Sequence, residues 1–167
     1  MLKTVGAKTE LKPKVLERHE QFYEIVGDLL EMDFVKKLDE YQQHCGTSRL
    51  QHSINVSYYS FCMAKAFRLD EQSAARSGLL HDLYFIDWRN SDMSGWKHVV
   101  THPKTALENA EQITEINAVE KDAIVKHMWP ITLMPPRYAV SYVVAAADRI
   151  STVGEVFGNI FKRIKRN

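Results

Sequence analysis

Two ionisable side chains stand side by side inside the apolar run Gly78-Leu-Leu-His-Asp-Leu83, and a third, Asp148, follows the six apolar residues Tyr142 to Ala147. A buried carboxylate without a partner is costly enough that it neutralises, pairs or binds a metal. Any fold that buries these segments must therefore deliver compensating groups to His81, Asp82 and Asp148. His52 is one such group, lying one turn before Val56 and two before Tyr59 on the expected inward face of its helix. His127 shares a face with Ala123 and Ile124, and His102 directly precedes Pro103, at an expected helix N-terminus.

The scaffold reads as all-α. There is no Asn-Gly or Asp-Gly hairpin turn and no sustained period-2 alternation, whereas helix signals recur. Residues 14–31 carry an amphipathic stripe of Val15, Phe22, Ile25, Val26, Leu29 and Leu30, and a second helix is expected from Asp33 to about His44, stopping at Gly46. Ser48 with Gln51 forms a capping box opening a helix to about Phe67, and Asp70 caps the next, to about Leu83. Tyr84–Trp96 reads as a loop. Helix resumes near Lys97 and runs to about Ile113, with Pro103 placed in its first turn. Asn117 and Glu120 cap a helix ending around Met128, a Pro-bearing loop spans Trp129–Pro136, and a strongly apolar helix runs from Arg137 to about Thr152. Gly154 and Gly158 leave a last, short helix. The expectation is one domain over 1–167: N-terminal helices over 1–47, a motif-bearing core over about 48–152, and a basic helix over 153–167.

Composition narrows the function classes. The 22 Lys+Arg nearly cancel 21 Asp+Glu, so no global field points to a stable nucleic-acid partner or an anionic membrane. The longest apolar runs fall far short of the roughly 20 residues that a bilayer requires. The opening residues, Met1-Leu-Lys-Thr-Val-Gly-Ala-Lys, show no apolar signal region, and Cys45 and Cys62 are too few for a disulfide framework. The expectation is a cytoplasmic protein.

The candidate ligand set is His52, His81, Asp82, His102, His127 and Asp148. Its gaps of 29, 20, 25 and 21 residues each exceed a typical helix, so apart from the adjacent His81 and Asp82 each group comes from a different element. A metal site inside a helical bundle is assembled that way.

The motifs Arg49-Leu-Gln-His-Ser53, Gly78-Leu-Leu-His-Asp82 and Ala146-Ala-Asp-Arg149, on successive helices, resemble the HD superfamily of metal-dependent phosphohydrolases over about residues 48–152. The resemblance implies a helical bundle with metal at its centre, held first by His52, His81, Asp82 and Asp148. In the two-metal branch Asp82 bridges, and His102 and His127 complete a second site. No Gly-Tyr-Pro follows His102, which argues against the cyclic-di-GMP phosphodiesterase branch.

Imidazole and carboxylate donors suit one or two divalent ions of Fe, Mn, Co, Ni or Zn. Metal-bound hydroxide attacking phosphorus in a small phosphorylated metabolite, such as a nucleotide, is the chemistry expected of such a site, with Asp82 and Arg49 as the catalytic residues. Arg49 lies one turn before His52 and can reach the same pocket. Lys104, Lys126, Arg137 and Arg149 are further phosphate-binding candidates, with loop 84–96 and Trp129 as substrate walls. His19, His44 and His98 read as surface or packing residues, with His98 the nearest to the pocket. Tyr58, Tyr59 and Phe61 read as core, and the tail from Phe161 to Arg166 as a solvated helix end. Two alternatives share these ligands: a di-iron oxygenase of the same superfamily, and a non-catalytic nucleotide-binding HD domain.

Overall fold

The computed structural model describes residues 13–43, 46–86 and 94–164, with side chains described within those ranges from Lys14 to Phe157. The described chain is all-α: α1 (Pro13–Glu31), α2 (Asp33–Lys36), a 3-10 turn (Lys37–Glu40), α3 (Arg49–Phe67), α4 (Glu71–Leu80), α5 (Gly95–Ile113), α6 (Ala118–Lys126) and α7 (Ala139–Ile164). One isolated bridge, Gln42 with Ser48, is the only extended pairing among the described residues.

The helix starts follow local chemistry. Ser48 Oγ accepts from Gln51 N, Asp70 accepts from Ser73 N, and Asn117 with Glu120 forms a full capping box, each satisfying N–H groups that a helix start leaves unpaired. The helix expected over Asp33–His44 is shorter. The 3-10 turn ends at Glu40, Tyr41 is extended, and the chain doubles back so that Arg49 N donates to Tyr41 O and Gln43 N to Thr47 O. His44 and Cys45 lie outside the described residues, as do 1–12, most of loop 84–96 and the side chains of the basic tail.

Two further expectations are corrected. Pro103 lies in the third turn of α5, because Ser94 caps that helix and starts it at Gly95. His102 is therefore inside a helix, not at its N-terminus. The separate C-terminal helix merges into α7, which runs unbroken through Gly154 and Gly158. Glycine costs a helix interior about 1 kcal/mol, and tertiary packing overrides a penalty of that size.

A close approach of α3 and α4 sets the centre of the molecule. Their facing residues are small, including Ser57, Ser60 and Ala64 on one side and Ala74, Ala75 and Ser77 on the other, all buried. A Cβ at Gly78 would meet the Ser57 backbone at 2.7 and 2.9 Å, so only glycine fits. Ser57 Oγ donates to Ala75 O across the interface. α7 packs on α3, α4 and α6, and α5 packs on α6, closing a ring of helices around the ends of α4 and α6. The main core joins Phe22, Val26 and Leu29 of α1 to Phe61, Leu79, Leu80 and Leu107. Of the aromatics expected in the core, Phe61 is buried and Tyr58 stacks on His19, whereas Tyr59 is exposed.

Candidate metal centre

Five elements converge on one point. His52 comes from the first turn of α3, His81 and Asp82 from the end of α4, His102 from α5, His127 from the end of α6 and Asp148 from α7. All four histidines and Asp82 are buried. The nearest ligand atoms of His52, His81 and Asp148 lie within 4.8 Å of one another, as do those of His81, Asp82 and His127. His102 joins the second group, its Nε2 3.4 Å from Asp82 Oδ1 and 2.9 Å from His127 Nε2.

The helix ends orient the rings. His81 and His127 both occupy C-cap positions with helical dihedrals, where carbonyls lack intrahelical partners. Their Nδ1 atoms lie 2.8 Å from the carbonyls of Gly78 and Ile124. His102 Nδ1 lies 2.9 Å from His98 O. A carbonyl only accepts, so each Nδ1 carries the proton and each Nε2 of a neutral ring presents a lone pair. Locking Nδ1–H on a backbone carbonyl is how metal-ligating histidines are oriented.

The residues fit a cation. His81 Nε2 is buried with no hydrogen-bond partner, and the Nε2 lone pairs of His102 and His127 face each other. Converging lone pairs repel unless a proton or an ion lies among them. Asp82 turns Oδ1 towards His102 and His127 and keeps Oδ2 3.6 Å from His81 Nε2, so the carboxylate spans both groups of donors.

Electrostatics agree. Burial opposes ionisation of Asp82, but the imidazoles of His81, His102, His127 and His52 outweigh it and hold the carboxyl well below the usual range. Burial also opposes ionisation of Asp148, and the His52 hydrogen bond overcomes it, lowering its pKa to about 2. Burial, reinforced by His81 and His102, lowers His127 to about 3, and His102 is lowered chiefly by burial. His52 goes the other way. Burial disfavours its charge, yet Asp148 at Nε2 and Glu155 at Nδ1 raise its pKa to about 10.

The chain is similar to ribonuclease Y of several bacteria. It is 27% identical over 171 residues to Ribonuclease Y of Bacillus thuringiensis, and 30% identical over 172 residues to that of Staphylococcus epidermidis; both alignments cover 99% of this chain. A shorter match to Ribonuclease Y of Desulforudis audaxviator is 41% identical over 56 residues, covering 32% of this chain and 11% of the relative. The chain spans 29% of the length of the first two relatives. No family model and no solved structure matches it.

A cavity of about 440 Å³ opens over the cluster, lined by Asp82, His102, His127, Asp148 and Arg149 together with Gln43, Tyr84, His98, Met128, Ile131, Thr152 and Val153. The expected cationic residues divide. Arg149 lines the cavity, its guanidinium donating to the carbonyls of Ala145 and Trp129. Arg49 is 1% exposed and does not line it. Its guanidinium stacks on Tyr84, bonds Tyr84 O and Ile86 O, and donates through Nε to Gln43 Oε1. Gln43 in turn donates to Asp82 Oδ2, so Arg49 acts on the cluster from behind. Lys104 is exposed, Lys126 pairs with Asp122 at 2.6 Å, and Arg137 lies over Tyr138; none of the three lines the cavity. Trp129 packs edge-on against Tyr142 and is not a wall either. His98 does line the cavity, stacked on His102 with ring centroids 4.5 Å apart.

Sequence reading missed Glu155 and Gln43. Glu155 follows Asp148 by seven residues, two turns along one helix face, a periodicity hidden by reading Gly154 as a break. Gln43 reaches Asp82 through the chain reversal before α3, which Gly46 at φ 88° marks as a turn but without indicating what Gln43 would meet.

Proposed function

We propose that this chain is a cytosolic metal-dependent phosphohydrolase of the HD superfamily, acting on a phosphoester of nucleotide type. The observation that carries this reading is the convergence of four imidazoles on two carboxylates, three of the rings locked through Nδ1 so that Nε2 faces the common point. His52, His81 and Asp148 would hold one ion, and His102 and His127 a second, with Asp82 shared. Such an ion lowers the pKa of a bound water from 15.7 to about 7, supplying a nucleophile at neutral pH.

The chain's own residues supply the rest. Arg149 offers a cation at the cavity wall beside Asp148, suited to phosphate oxygens. Gln43 holds the Asp82 carboxylate in the orientation that faces both ligand groups. Tyr84, Met128, Ile131 and Val153 give the cavity an apolar side against which a base or sugar packs, and about 440 Å³ lies within the size range of small-molecule sites. The relatives' name favours a second reading, in which the scissile phosphodiester lies in RNA.

One screen tests both. Metal-stripped protein reloaded with Mn, Fe, Co, Ni or Zn is offered nucleoside monophosphates, cyclic nucleotides, dinucleotides and short RNA. Metal-dependent hydrolysis of a member of that panel, lost in Asp82→Ala, is the expected result. Oxygen uptake without phosphoester cleavage, or full activity of Asp82→Ala, contradicts it.

A further inference from the structure

His52 is held differently from the other three histidines. Where His81, His102 and His127 rest on neutral backbone carbonyls, His52 Nδ1 faces a carboxylate, 3.1 Å from Glu155 Oε1 and 3.2 Å from Oε2. Glu155 sits two turns beyond Asp148 on α7, so one helix grips the imidazole from both sides: Asp148 Oδ1 lies 3.1 Å from Nε2. The Glu155 carboxylate is itself held, with Asn55 Nδ2 donating to Oε1 at 3.1 Å and Ser151 Oγ at 2.8 Å. Its side chain is only 8% exposed.

We propose that Glu155 is the positioning residue of the His52–His81–Asp148 half of the centre, fixing the His52 ring so that Nε2 is the ligating atom and making it a stronger donor than the carbonyl-bound rings. This rests on the metal-dependent reading above. A carboxylate accepts the Nδ1–H more strongly than a carbonyl does, and charge passed to the ring strengthens the Nε2 lone pair. Asn55, one turn after His52 on α3, and Ser151, one turn before Glu155 on α7, keep the carboxylate at that position. The unbroken course of α7 past Gly154 has a function on this account, because a break there would remove Glu155 from the cluster.

The test is Co²⁺ titration of the metal-stripped full chain, followed by calorimetry and by the visible spectrum of the bound ion. Glu155→Ala is expected to weaken the site that includes His52 by about 10–100-fold and to shift its spectrum. Glu155→Gln keeps the shape and one acceptor, and is expected to restore part of that loss. Should Glu155→Ala fail to fold, Glu155→Gln carries the test alone, with weaker Co²⁺ binding as the expected result. A merely structural link between α3 and α7 would lower the melting temperature and leave the Co²⁺ affinity of folded protein unchanged. Affinities of both variants within twofold of the parent, with an unchanged spectrum, overturn the proposal while leaving the metal reading intact. A parent chain that takes up no Co²⁺ overturns both.

Discussion

Two polar networks among the described residues differ in whether they are closed. Between α4 and α6, Arg76 donates to Glu120 Oε1, Thr114 Oγ1 and Glu115 O; Glu120 Oε2 accepts from Asn117 N; Asn117 Nδ2 donates to Ser73 Oγ, which donates to Asp70 Oδ2. No buried side-chain polar atom of these residues lacks a partner. The network at the ends of α4 and α6 is open, with His81 Nε2 unpartnered and the Nε2 atoms of His102 and His127 facing each other. The first arrangement needs nothing more and joins two helices. The second leaves acceptor atoms facing one another, the arrangement a cation or proton would satisfy, although both networks are rich in charge.

Substitutions that break one network and spare the other sharpen this contrast. The largest effect is expected from Asp82→Ala, which should reduce metal-dependent turnover to background while the metal-stripped protein melts within a few degrees of the parent. Glu120→Ala should do the reverse, costing about 3 kcal/mol because it leaves the partly buried Arg76 without its carboxylate partner, with Co²⁺ stoichiometry preserved in chemical denaturation and binding assays. Gly78→Ala leaves the first network alone but strikes the α3–α4 contact and the cluster together, since its Cβ would meet the Ser57 backbone and move the carbonyl that holds His81. It should cost about 2 kcal/mol and weaken metal uptake.

The pH dependence of the metal-stripped protein is smaller near neutrality and has two sides. His127, pushed down to about 3 in the folded chain chiefly by burial, binds its proton more readily when unfolded, so stability falls as pH drops below about 6.5 towards 3. His52 is raised to about 10 by Asp148 and Glu155 against the opposing effect of burial. Its contribution is complete below about 6.5 and is lost as pH rises through 10. Denaturation midpoints should therefore peak near pH 6.5; a midpoint still rising from pH 7 to 9 would contradict these environments. The smallest expected effect is Asn117→Ala, about 1 kcal/mol from the lost cap, with no change at the metal centre.

What was legible in the sequence was local or chemically costly. Ser48, Asp70 and Asn117 announce helix starts because a side-chain oxygen and an unpaired N–H lie within three residues of each other. His81, Asp82 and Asp148 stand out because charges in apolar runs must be compensated, and the structure brings them together with His52, His102 and His127. Long-range geometry was not legible. Arg49 reads as a phosphate ligand by helical spacing, yet its guanidinium is taken by the carbonyls of Tyr84 and Ile86, 35 and 37 residues away. Glu155 lies between Gly154 and Gly158, past the point where the helix reads as ending, and Pro103 reads as a helix start only because the capping Ser94 lies in a segment that looks like loop.

The most direct measurement is anomalous diffraction from crystals of this chain soaked in Zn²⁺. A peak within about 2.0–2.1 Å of His81 Nε2, shared with His52, Asp82 and Asp148, is the predicted result. Zinc found only at the surface, with the four imidazoles unchanged and no density among them, would contradict the account.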